Sequence, residues 1–83
     1  MDLRREIGQR LVTARKAAGQ SIEDVADATG MTASMVRRIE AGAVLPSVTT
    51  LCHLAWSLRL QAGDLLPVYD PDEGDVRTGD AAA

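Results

Sequence analysis

Cys52 and His53 stand side by side, and their residue types could in principle ligate a metal or carry nucleophilic chemistry. Adjacent helical positions point about 100° apart, so one ion could not easily take both. The chain holds one Cys and one His in all, too few to complete a ligand set of that kind. Neither a Ser-His-acid set nor a phosphate-cradling Gly loop is visible. No catalytic, metal-ligating or cofactor-binding residue is assigned, and the chain reads as a non-enzyme. What remains is the chemistry of cations, at Arg4, Arg5, Arg10, Arg15 and Lys16 and again at Arg37 and Arg38. A guanidinium offers planar paired donors that match paired acceptors.

The elements that must position these groups are short helices. Between Ile22 and Ala41 the chain reads IEDVADATGMTASMVRRIEA. Ser21 is placed to cap the first helix, with Asp24 three residues on in a capping-box arrangement. Val25 and Ala26 supply its inward face, and Gly30 sits where the chain must reverse with positive φ. Thr32 caps a second helix whose Val36 and Ile39 share one face. Ala26 is small because two steeply crossing helices leave no room at their contact. This combination spells a helix-turn-helix.

Eighty-three residues make one small domain. Hydrophobic residues reach 46% and aromatics only 2%, so the core must be aliphatic. A lone Cys52 forms no internal disulfide and fits a reducing compartment. No apolar run approaches the roughly 18 residues that span a bilayer. MDLRREIGQR lacks the apolar region of a secretory signal, which predicts a cytoplasmic location without membrane contact. The net charge of −3 is unevenly spread. Up to Tyr69 eight basic residues face seven acidic ones; from Asp70 onward five acids face Arg77 alone.

Periodicity predicts a first helix from Leu3 to Ala18, with Leu3, Ile7, Leu11, Ala14 and Ala18 as its stripe and Gly19 closing it. Gly42 ends the second helix of the helix-turn-helix. Ser47 caps a fourth helix that carries Val48, Leu51, Leu54, Ala55 and Leu58 at core spacing. A last turn, from Ala62 to Leu66, is stopped by Pro67. Residues 1–69 form the domain; 70–83, acidic and without apolar periodicity, read as a disordered tail or linker.

On IGQRL, ARKAAG, SIEDVA, TGMTASMVRRIEAG, LPSVTTL and LAWSL, the chain resembles the phage-repressor and Cro-like family, also called the xenobiotic-response-element family. RIEAG followed by Pro46-Ser47, and DLL at Asp64 to Leu66, are the most specific pieces. The resemblance runs from about Ile7 to Leu66. It implies an all-α, five-helix lambda-repressor-like domain with helices two and three as the helix-turn-helix. It also implies a DNA-binding transcriptional regulator, of repressor type, acting as a homodimer on double-stranded DNA without a cofactor.

In that docking mode the second helix of the motif enters the major groove. Thr32, Ala33, Ser34 and Arg37 then meet base edges, Arg37 through O6 and N7 of guanine. Ser21 and Ile22 at one helix start, with Arg10 and Arg38, meet phosphates. Ile22, Ala33 and the Ala43-Val44-Leu45 loop depart from the polar residues common in the family, which lowers the expected phosphate affinity. Arg15 and Glu40 correspond to a family pair bridging helix one to the end of the reading helix. Trp56, with Arg59, Leu60, Ala62 and Leu66, is the expected dimer patch. Arg59 stands where the family often has Gly. The competing reading is an antitoxin-like or adaptor module whose helix-turn-helix surface meets another protein.

Overall fold

A computed structural model describes residues 2–67 as four α-helices and one 3₁₀ turn. Helix α1 spans Leu3–Ala17, α2 Ile22–Thr29, α3 Ala33–Glu40 and α4 Val48–Ser57, and the 3₁₀ turn is Ala62–Leu65. Among the described residues there is no strand. The expected fifth helix is thus a single tight turn. Gln61 and Leu66 on either side of it are extended, and four residues cannot build a ladder of α-helical bonds. The boundary expected after residue 69 and the acidic segment 70–83 lie outside the described residues.

Local chemistry sets each helix start. Ser21 Oγ accepts the Asp24 N–H at 3.0 Å, and the Asp24 carboxylate accepts the Ser21 N–H at 2.9 Å. The Thr32 and Ser47 hydroxyls accept from the N–H groups of Met35 and Thr50, each at 3.1 Å. Between α2 and α3 the chain turns at Gly30, whose φ of 74° is left-handed. A side chain there would be strained. The N–H groups of Gly30 and Met31 both donate to the Ala26 carbonyl, which closes α2.

The core is aliphatic throughout: Ile7, Leu11, Val25, Ala26, Val36, Ile39, Leu51, Leu54, Ala55, Leu58 and Leu65. Three expected core positions are exposed instead. Leu3 lies exposed in the first turn of α1, and Gly8 takes part in the buried face instead. Val48 is 76% exposed, because as the first residue of α4 it precedes the turn that reaches the core. Ala18 caps α1 and is also exposed. Each fully buried aliphatic side chain stabilises by about 1.5–3 kcal/mol, whereas an exposed ion pair gives about 0–1. Val25 and Ala26 against Val36 and Ile39 therefore fix how α3 crosses α2, not the charges around them. Ala26 is the small residue at that crossing and lets the two helices approach.

Candidate nucleic-acid interface

Helix α3 turns Val36 and Ile39 inward, so Ser34, Arg37 and Arg38 stand on its exposed face. Thr32 is exposed and its hydroxyl is engaged as the N-cap. Ala33 is only half-exposed and packs against the core edge. Arg37 does not stand alone. Its Nη2 donates to Oε2 of Glu23, at the start of α2, across 3.0 Å. Both partners face solvent, with side chains 56% and 64% exposed. Among the described residues the Arg38 side chain has no hydrogen-bond or ion partner.

At the start of α2 the capping box consumes the N–H groups of Ser21 and Asp24. Those of Ile22 and Glu23 are the two left over for an outside acceptor. Ile22 itself is half-buried, its side chain packed on the core edge. Hydrogen bonds from Ser21, backbone first, hold the Asp24 carboxyl below its ordinary range. This end of α2 therefore carries two carboxylates, one capping the helix and one paired with Arg37.

Arg15 and Glu40 come together. Arg15 Nε donates to Glu40 Oε2 at 2.6 Å and Nη2 to Oε1 at 3.2 Å, a bidentate pair. Arg15 Nη1 donates to the Gln20 carbonyl at 3.0 Å. One guanidinium thus ties the end of α1, the turn before α2 and the end of α3. The two side chains are only 12% and 9% exposed, and the Glu40 hydrogen bond holds Arg15 charged above its usual range.

Arg10, expected at phosphate, stands beside the 3₁₀ turn. It lines an open groove of about 510 Å³ with Leu60 and Asp64, between α1 and the 3₁₀ turn, and its Nε is buried without a hydrogen-bond partner. The reason is helical geometry. Gly8 packs against the end of α3, and a residue two positions on points about 200° away.

Of the expected dimer residues, Trp56 and Leu60 line different grooves. Trp56 is 68% exposed, tilted against His53 with ring centroids 6.0 Å apart, and borders a groove with Ala28, Thr29 and Ser57. Leu60 faces the Arg10 groove instead, and both Leu60 and Ala62 pack partly on the core. Arg59 is exposed with φ 61°, and Leu66 is exposed. Cys52 is half-buried, and among the described residues no His, Cys, Asp and Glu cluster could hold a metal ion.

Two features of the site have no single-helix signature in the sequence. Glu23 stands 14 residues before Arg37, a separation that only the crossing of α2 and α3 converts into contact. Gly8 is the other, although a glycine on a buried helical face is itself a sign of close backbone approach.

Comparison with known proteins agrees with this geometry. The profile described as a helix-turn-helix domain matches residues 6–67. The restriction-modification controller protein C.AhdI from Aeromonas hydrophila is 32% identical, with a TM-score of 0.74, over 76% of this chain and 96% of that one. An HTH_3 family transcriptional regulator from Vibrio cholerae is 28% identical, with a TM-score of 0.73, over 78% of this chain and 38% of that longer one. No curated protein matches by sequence.

Proposed function

Since the chain belongs to the helix-turn-helix domain family, of the Cro-like type, we propose that it is a repressor-type transcriptional regulator that binds double-stranded DNA as a two-fold dimer. The observation that carries the reading is the outward face of α3, where Ser34, Arg37 and Arg38 stand together while the Arg15–Glu40 pair fixes the helix end. The neighbours from Aeromonas and Vibrio are a controller protein and a transcriptional regulator, which supports a regulatory role.

In this reading α3 lies in the major groove of a pseudo-palindromic site. Arg37 reads guanine, Ser34 and Thr32 read neighbouring base edges, and the Ala33 methyl packs where a thymine methyl can meet it. Arg38, the Ser21 region and the free N–H of Ile22 hold phosphate. Arg10, which lines the groove beside the 3₁₀ turn, is left out of this set.

The test is a salt-dependent titration against a random duplex pool and the duplexes selected from it. Arg37→Ala should cost about 1–3 kcal/mol on the selected site and much less on unrelated DNA. Arg38→Ala should weaken both alike and lower the salt slope by about one. Arg10→Ala should leave the slope unchanged. Absence of DNA binding by the wild type at low salt would hand the surface to the protein-partner reading, which exposed Leu45, Val48 and Trp56 favour.

A further inference from the structure

The contact between α2 and α3 at their solvent face joins opposite charges, Glu23 and Arg37, at 3.0 Å. With both side chains more than half exposed, such a pair adds little to stability, and the apolar crossing beneath it already holds the helices together. Its consequence is for the guanidinium. Arg carries five N–H donors in one plane on a long flexible stem. A carboxylate bonded at Nη2 restricts where that plane can point and leaves its other N–H groups open.

Glu23 also carries a cost for binding. It is the second residue of α2, beside the free N–H groups at that helix start, where an approaching phosphate meets a negative charge. Arg15 lies within the field of Glu23 as well, although Glu40 holds it first. A carboxylate there lowers general attraction to a polyanion. It gains something only where an oriented Arg37 matters more than a free one.

Building on the DNA-binding reading above, we propose that Glu23 is a specificity-determining residue that positions Arg37 toward a base edge and withholds it from the phosphate backbone. Discrimination then rises because the wrong contacts are suppressed, not only because the right one is made. With Glu23 neutralised, Arg37 becomes an ordinary mobile cation and settles on phosphate.

The experiment uses the full chain as wild type, Glu23→Gln, Arg37→Ala and the double variant. The probes are the duplex that wild type selects from a random pool, and the same duplex with each base pair replaced in turn. Glu23→Gln should bind the replaced duplexes more tightly and steepen the salt slope by about one. Its preference for the guanine read by Arg37 should fall about fivefold or more. In the Arg37→Ala background, Glu23→Gln should leave base preference unchanged. Melting curves should be nearly the same for all four proteins, since both side chains are exposed. The inference is overturned if Glu23→Gln keeps the wild-type base preference while Arg37→Ala loses it; the DNA-binding reading then still stands. If wild type binds no DNA at low salt, both fail together.

Discussion

Gly8 of α1 rests directly on the main chain of Glu40: a Cβ at Gly8 would lie 2.6 Å from the Glu40 carbonyl oxygen and 2.6 Å from that of Ile39. No rotamer change relieves a clash with backbone. Gly8→Ala therefore sets two effects against each other. Helix propensity gains about 0.5–1 kcal/mol, while overpacking costs about 1–3 kcal/mol. The second should win, and urea denaturation should show a net loss. DNA affinity should fall as well, because α1 can make room only by shifting the end of α3.

The Arg15–Glu40 pair gives a second expectation. Removing either partner strands a mostly buried charge, so Arg15→Ala and Glu40→Ala should each lose about 1.5–3 kcal/mol. The double replacement Arg15→Met with Glu40→Leu should lose much less than the sum of the two single losses. A double-mutant cycle on chemical denaturation measures this coupling. Strictly additive losses would mean that the two groups act independently.

How far the sequence could be read follows from which interactions are local. Ser21 with Asp24, Thr32, Gly30 and Ser47 act within four residues of themselves, and each sits in the structure as its type suggests. The inward faces of α2 and α3 were legible for the same reason, being fixed by helical period. Arg10 shows the limit. Its charge was visible, but its direction depends on which face of α1 meets α3, and that is set by Gly8. Trp56 and Leu60 look like neighbours in sequence, yet the end of α4 between them sends them to different grooves. The Glu23–Arg37 contact lies across the helix crossing, where no single-helix pattern reaches.

Acid should weaken the start of α2. Hydrogen bonds from Ser21 favour the charged form of Asp24, so its folded pKa lies below its unfolded one. The stabilisation is therefore present above the ordinary Asp value of about 3.9 and is lost as pH falls through the folded value. Thermal melts from pH 7 down to pH 2 should show that loss, and Asp24→Asn should show less of it. An identical acid profile in the variant would remove Asp24 as its source.

Arg59 holds a left-handed backbone, φ 61°, just after α4, where its N–H donates to the Trp56 carbonyl. A side chain in that region costs free energy that glycine does not. Arg59→Gly should raise stability by about 0.5–1 kcal/mol despite the more flexible unfolded chain. Denaturant midpoints compare the two directly. A loss of stability would mean that the exposed Arg59 side chain makes a contact worth more than the strain.

Trp56 carries the expectation for assembly. It is a large ring left 68% exposed, on the same side of α4 as His53 and facing the end of α2 at Ala28 and Thr29. Truncating it should change the stability of one subunit by only about 0.5 kcal/mol, since little of it is buried there. In a two-fold contact the same residue counts once on each side, and an aromatic anchor at such a centre is worth about 2 kcal/mol or more. Trp56→Ala should therefore shift sedimentation from dimer toward monomer at a fixed concentration while the melting curve barely moves. Leu60→Ala is the matched control: its side chain packs on the core and lines the other groove. It should lower the melting temperature and leave the subunit contact intact. Both proteins are to be run free and with the selected duplex, because DNA brings two half-sites together and favours the pair. If wild type and Trp56→Ala sediment alike in every sample, the Trp56 face is not the interface. If Leu60→Ala alone dissociates the dimer, the contact runs through the groove between α1 and the 3₁₀ turn.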